Sequence, residues 1–240
     1  MYCALWARYF AHDPLGHGRQ TCATGLSEGR RPGVNTTPVA SVHGHKCVLV
    51  GAGGHAKVVQ ELALLSGAQI LGVCDPKFAT TGEQYWNGLK ILGSDEFLDE
   101  ISPESVLLLN GIGMMPGNKI REKVYDRFVS MGFRFPALVH PFSWCSPLAS
   151  IADGVQLMAG VVVQPGATIG KNSIVNTRSS VDHDSRIGAH CHLAPGATVC
   201  GDVQLGSSTF VGAGATIVQA VNVAPNQFIK AGSLTRSDIH

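Results

Sequence analysis

The chain has 240 residues, 45% of them hydrophobic, with a formal charge of +1, the composition of an ordinary globular protein with room for one large domain or two small ones. That charge balance gives no electrostatic reason to expect nucleic acid or an anionic membrane as a partner, and no apolar run approaches the ~18 residues needed to span a bilayer. Seven cysteines without CxxC spacing read as reduced thiols in a cytoplasm.

Residues 1–46 differ from the rest. Arg8, Arg19, Arg30, Arg31 and Lys46 outnumber Asp13 and Glu28, and glycine, threonine and proline follow a short aromatic start. Arg8 interrupts what would be the apolar stretch of a signal peptide, so the segment reads as a disordered extension or a start placed too early, with a targeting segment as the alternative.

From Cys47 the texture changes. Cys47–Val50 reads as an apolar strand, followed by the turn GAGGHA, a helix with Val58, Leu62 and Leu65 on one face, and a second strand, Ile70–Cys74, ending at Asp75. A right-handed crossover makes these two strands parallel neighbours. SVLLLNGIG supplies another buried strand and glycine turn. The helix after it carries Ile120, Val124 and Phe128 at helical spacing and stops at Gly132. Residues 47–136 are therefore expected to form a small Rossmann-like α/β domain.

A six-residue metre begins at Ile151. Ile151, Leu157, Val163, Ile169 and every sixth residue onward to Ile229 are Ile, Leu or Val. The residue four positions after each is small, from Val155 to Val221, until Gln227 breaks the pattern. An aliphatic, then turn-formers, then a small residue is the pattern of a triangular prism with one short strand and one corner per hexad and three hexads per coil. This is the hexapeptide repeat of the left-handed parallel β-helix, with about four coils between 151 and 229 and a domain from 137 to 240. The prism alone says little about chemistry, because it serves acyltransferases, carbonic-anhydrase-like metalloproteins and structural modules alike.

The GAGGHA turn, the VHP that enters the prism and, above all, the block from Asn176 to Gly201, IVNTRSSVDHDSRIGAHCHLAPGATVCGDV in its context, together resemble the NeuD/PglD group of bacterial sugar O- and N-acetyltransferases. The resemblance covers residues 47 to about 236. It implies that His183 is a general base, suited to take a proton as an amine or hydroxyl attacks the thioester of acetyl-CoA. It implies that Asp184 orients the His183 ring, although on a straight strand both Asp182 and Asp184 would point away from it. It also places His192 at the acetyl carbonyl or cofactor and Asn176 in support, and leaves His190 without a match, as a solvated outer residue.

The turn aims backbone N–H groups at an anion, or serves only a tight strand-to-helix connection. The resemblance makes the anion a nucleotide-linked sugar, usually UDP-linked, with Gly51, Gly53, Gly54 and His55 near the pyrophosphate and Asp75 near the ribose or base. Acetyl-CoA is expected along the groove between neighbouring prisms, passing Gly196, Gly212 and Gly214, in a homotrimer with sites between subunits. Family members commonly continue past the equivalent of GSLTRSDIH with a segment that caps the last coil. Stopping at His240 implies either weak CoA binding or another element over the coil end.

The implied activity is N-acetylation of a nucleotide-linked amino sugar for a surface glycan. The alternatives are O-acetylation of a sialic-acid-type sugar, a non-catalytic scaffold, or a zinc site built from converging His183, His190 and His192. A nucleotide-domain partner argues against the last, so no metal is expected.

Overall fold

A computed structural model describes residues 42–240, so the expected extension over 1–46 lies, except for its last five residues, outside the described residues. In the α/β domain, β1 (Lys46–Val50) lies between β2 (Gln69–Cys74) and β5 (Leu107–Asn110), parallel to both. Helix α1 (Gly54–Leu65) makes the crossover from β1 to β2. Outside β2 lies β4 (Leu89–Gly93), also parallel, and then the antiparallel β3 (Tyr85–Trp86), giving the mixed order β3-β4-β2-β1-β5. The β3–β4 hairpin was not expected from the sequence. Helix α2 (Ile120–Ser130) follows β5 and ends before Gly132, whose φ is +94°.

Both helices present different faces from those expected. α1 buries Ala56, Val59, Leu62 and Ala63, and leaves Val58 and Leu65 exposed. α2 buries Arg121, Tyr125 and Phe128, and leaves Ile120 exposed and Val124 half-buried. Ile120 and Val124 line a cleft, so their apolarity serves a concave surface and not the core.

The prism runs from Leu138–Val139 to Leu234–Thr235 as three parallel sheets of six, five and six two-residue strands. It is longer at both ends than the aliphatic metre suggests. Each strand pairs with the one eighteen residues on, as in Val162↔Ser180↔Thr198↔Thr216. The second strand residue points inward, and all fourteen metre positions except the half-buried Ile151 are buried. The small positions fill the core beside them. Where these are Ser173, Ser179 and Ser185, each hydroxyl donates to a carbonyl of the next coil, Gly188, Ala194 or Cys200 at 2.7–3.0 Å, so no polar group is stranded.

The corners share one conformation. Every sixth residue from Gly154 to Gly232 has φ between 57° and 76°, whether glycine or not, and Asn172, Arg178, Asp184, His190, Asp202, Ser208, Ala220 and Asn226 all adopt it. For non-glycine residues this left-handed region costs roughly 1–2 kcal/mol, and here the regular stacking of coils enforces it.

The end of the last coil is covered by the chain's own final residues. Ile239 bridges Val223, its N–H donating to Asn222 O at 2.9 Å and its carbonyl accepting from Ala224 N–H at 2.8 Å. The α/β domain sits against one outer face of the prism, with Leu138, Met158 and Ile174 sharing a core cluster with Leu49, Val59 and Leu62. Among the described residues no helix is long and apolar enough to cross a membrane.

Candidate active site

The glycine turn forms one wall of a cleft of about 490 Å³ that brings together all five α/β residues expected to hold substrate, Gly51, Gly53, Gly54, His55 and Asp75. Gly51, at φ +92°, lies so close to the opposite wall that a Cβ would come within 2.7 Å of Ile112 Cγ1. Gly53 and Gly54 have open space above them, so the N-terminus of α1 is accessible. Asp75 shapes this turn directly, its Oδ2 accepting from Ala52 N–H at 2.7 Å and its Oδ1 from Lys77 N–H at 3.0 Å, while Lys77 Nζ donates to Ala52 O at 2.7 Å. Asp95 lines the same cleft and was not anticipated. Burial raises its pKa, and its Oδ1 is buried without a partner.

At the prism end of the cleft, His55 Nε2 lies 2.8 Å from Gln156 Oε1, and Gln156 Nε2 donates to Asn110 O at 2.8 Å. Because a carbonyl only accepts, the Gln156 amide must turn its NH2 toward Asn110 and its oxygen toward His55. His55 therefore carries its proton on Nε2. Burial, with the charge of Arg121, lowers its pKa to about 4, against the Gln156 hydrogen bond, so the ring is neutral. Nδ1 is an unprotonated acceptor with no protein partner, and it is not among the fully buried unpaired atoms.

Arg121 anchors the seam behind His55. Its Nε donates to Asn172 O at 3.1 Å and its Nη1 to Asn110 O at 3.1 Å and Ile112 O at 2.7 Å. The side chain is 3% exposed, with Nη2 unpaired, and burial lowers its pKa to about 9. Nothing in the sequence marks it, since arginine in a surface helix ordinarily faces water.

His192 opens a strand on the prism face that the α/β domain covers, two rungs above Gln156 in the ladder Gln156↔Ile174↔His192↔Phe210. Asn176 Oδ1 accepts from Thr177 N–H at 2.8 Å, which turns Asn176 Nδ2 toward His192 Nε2 at 3.2 Å. Nε2 is then the acceptor and Nδ1 carries the proton, buried and unpaired. Burial, then the charges of His55 and Arg121, lower this pKa to about 4, with the Met114 backbone pulling the other way without completing a hydrogen bond to Nδ1.

His183 follows a strand of a different sheet, with its side chain 62% exposed. The corner resolves the difficulty with Asp184. At φ 59° the backbone turns the Asp184 carboxylate back, and its Oδ2 meets His183 Nδ1 at 2.9 Å. The Asp184 hydrogen bond is the main cause of a raised His183 pKa, with partial desolvation opposing it and the charges of Asp182, Asp184 and Asp202 adding to it. The ring rests over Gly201, where a Cβ would stand 2.7 Å from Nε2. Gly201 was missed, yet it lies eighteen residues after His183, one coil above, and that spacing is readable in the sequence.

His190 is buried and not the solvated outer residue that the sequence implies. It is 8% exposed, its Nδ1 lies 3.0 Å from Asn172 Nδ2, and its ring meets Tyr125 edge-on, because helix α2 packs over this corner. His183, His190 and His192 do not converge within the chain. Among the described residues the group close enough to share an ion is Glu122, Asp126 and His190, of which Asp126 already pairs with Lys171 at 3.5 Å. Of the three glycines expected beside CoA, Gly214 faces open space and Gly196 nearly so. Gly212 has a packing reason to be glycine, since a Cβ would lie 2.4 Å from Ala231 N.

A glycine-turn cleft in a small α/β domain, seated on a hexapeptide prism with outward histidines, defines a class of group-transfer enzyme. The PglD N-terminal domain family matches residues 46–128 and the bacterial transferase hexapeptide family (six repeats) residues 184–219. A UDP-N-acetylbacillosamine N-acetyltransferase of Bacillus subtilis (strain 168) is 32% identical over 114 residues, 46% of this chain and 50% of that protein. The chain spans half or less of the length of the curated relatives it matches.

The acetyltransferase domain of PglB from Neisseria gonorrhoeae FA1090, solved with acetyl coenzyme A, is 34% identical over 81% of this chain and 92% of that one, with a TM-score of 0.74. A histidine-to-asparagine mutant of perosamine N-acetyltransferase from Caulobacter crescentus, solved with CoA and GDP-perosamine, is 30% identical over 83% and 92%, with a TM-score of 0.75. The chain belongs to the hexapeptide-repeat sugar N-acetyltransferases that carry a PglD-type N-terminal domain.

Proposed function

We propose that this protein transfers the acetyl group of acetyl-CoA to the amine of a nucleotide-linked amino sugar, with His183 as general base. The observation that carries this reading is the meeting of two surfaces. The nucleotide cleft ends at His55, and His55 is bonded to Gln156 on the prism face that bears His192. A nucleotide diphosphate over the accessible N-terminus of α1 thus directs its sugar at the prism. His192 stands on that face with its ring held by Asn176, its Nδ1 buried out of reach of a molecule in the cleft.

His183 stands on another sheet of the same prism, so one chain does not unite base and cleft. A trimer that sets the His183 corner of one subunit against the cleft of its neighbour completes the site, with acetyl-CoA between the prisms beside Gly196 and Gly214. The amine nitrogen attacks the thioester carbonyl, His183 takes one of its protons, the C–S bond breaks, and the proton passes to the departing thiolate.

The test is incubation with acetyl-CoA and a panel of UDP- and GDP-linked amino sugars, read by mass spectrometry. One acetyl gained by one sugar is the expected result. No product from any of them with folded protein overturns the reading.

The pH profile follows from Asp184. The base works unprotonated and its pKa is raised above 6.5, so activity should fall as pH drops through a limb above 6.5. In D184N that limb should move to lower pH. An unmoved limb removes Asp184 from the base.

A further inference from the structure

We propose that His55 selects an amine over a hydroxyl, its Nδ1 accepting a hydrogen bond from the N–H that the nucleophile keeps. This rests on the acetyl-transfer reading above. Three observations carry it. His55 lines the inner end of the cleft, next to Gly113, where a Cβ would lie 3.3 Å from His55 Cβ. The chain Asn110 O, Gln156, His55 fixes the tautomer, so that Nδ1 can only accept. Nδ1 has no protein partner and is not sealed off, which leaves its hydrogen bond to a molecule in the cleft.

The chemistry then separates two nucleophiles. An amine has two N–H bonds. One proton leaves to His183 and then to the CoA thiolate, while the other stays on the product amide, so an acceptor at His55 is satisfied in substrate, transition state and product. A hydroxyl has one proton. If His55 holds it, His183 receives none; if His183 takes it, the Nδ1 lone pair faces an oxygen lone pair. His55 is thus a specificity and positioning residue, distinct from the base.

The experiment compares kcat/KM for the amino sugar identified by the panel with that for the same nucleotide sugar bearing a hydroxyl on the same carbon. Two substitutions separate acceptor from packing. Asparagine can place an oxygen near the position of Nδ1, whereas glutamine reaches the position of Nε2 and leaves Nδ1 unreplaced. H55Q is expected to lower the amine-to-hydroxyl ratio about tenfold or more, the worth of one hydrogen bond in a desolvated site, and H55N to keep it within about threefold of the parent.

An unchanged ratio in folded H55Q, or equal falls in both variants, overturns the proposal. Should H55Q fail to fold, Q156M decides, because a His55 released from its tautomer must also lose selectivity. A parent enzyme that acetylates none of the amino sugars defeats the reading underneath, a result distinct from these.

Discussion

Replacing His183 with alanine is expected to lower turnover at least ~10²-fold with the fold and assembly intact, the usual size of a lost general base. The ring is mostly exposed, bonded to Asp184 and resting over Gly201, so its removal opens no cavity in the aliphatic column. The corner also stays formed, since Asp202 N–H donates to the His183 backbone carbonyl at 3.0 Å. Acetylated product, followed by mass spectrometry, should therefore disappear without a change in melting temperature or elution volume. Parental turnover in H183A would remove this residue from the mechanism and direct attention to the neutral His55 of the cleft.

The second large effect concerns stability. R121M keeps much of the aliphatic stem but strands the carbonyls of Ile112 and Asn172, each costing about 1–3 kcal/mol when left buried without a donor, and leaves the Asn110 carbonyl with Gln156 Nε2 as its one remaining side-chain donor. Relief from burying a guanidinium that has no carboxylate among its hydrogen-bond partners offsets part of this. A net loss of about 2–4 kcal/mol is expected, seen as a lower urea midpoint. Because the three carbonyls belong to the cleft wall and to a prism corner, the α/β domain should loosen first. A midpoint equal to the parent's would mean that desolvation of the charge balances all three bonds.

The prism was legible in the sequence because its core is one dimensional. A single inward position per hexad repeats with the coil, so the aliphatic metre from Leu157 to Ile229 maps onto buried residues without exception. The α/β domain was legible as strands and a glycine turn but not as helix faces. Ile120 and Val124 carry the apolar signal of a core, yet they line a cleft, and periodicity cannot tell a surface that meets protein from one that meets a ligand.

The site divides in the same way. His55, His183 and His192 stand in motifs, and the structure gives each a defined hydrogen-bonding partner, Gln156, Asp184 and Asn176. His190 reads as solvated in the sequence because a corner residue of an isolated prism faces water, and only the packing of α2 over that corner buries it. Arg121 was invisible for the complementary reason. Its role arises from three backbone carbonyls brought together by tertiary structure, which leave no trace in residue types.

The eighteen-residue pairing makes the prism a graduated rod. Adjacent coils are separated by about 4.8 Å, the spacing between hydrogen-bonded strands. The cleft is clamped to the rod at Gln156 and Asn172, and the base stands at a fixed graduation above them. Gain of one whole coil between Asn172 and His183 would slide His183 by about 4.8 Å along the axis and return it to the same face, whereas gain of a single hexad would carry it around to another. Reach along the axis and choice of face are therefore set independently, in discrete steps, and neither change disturbs the aliphatic column that holds the rod together.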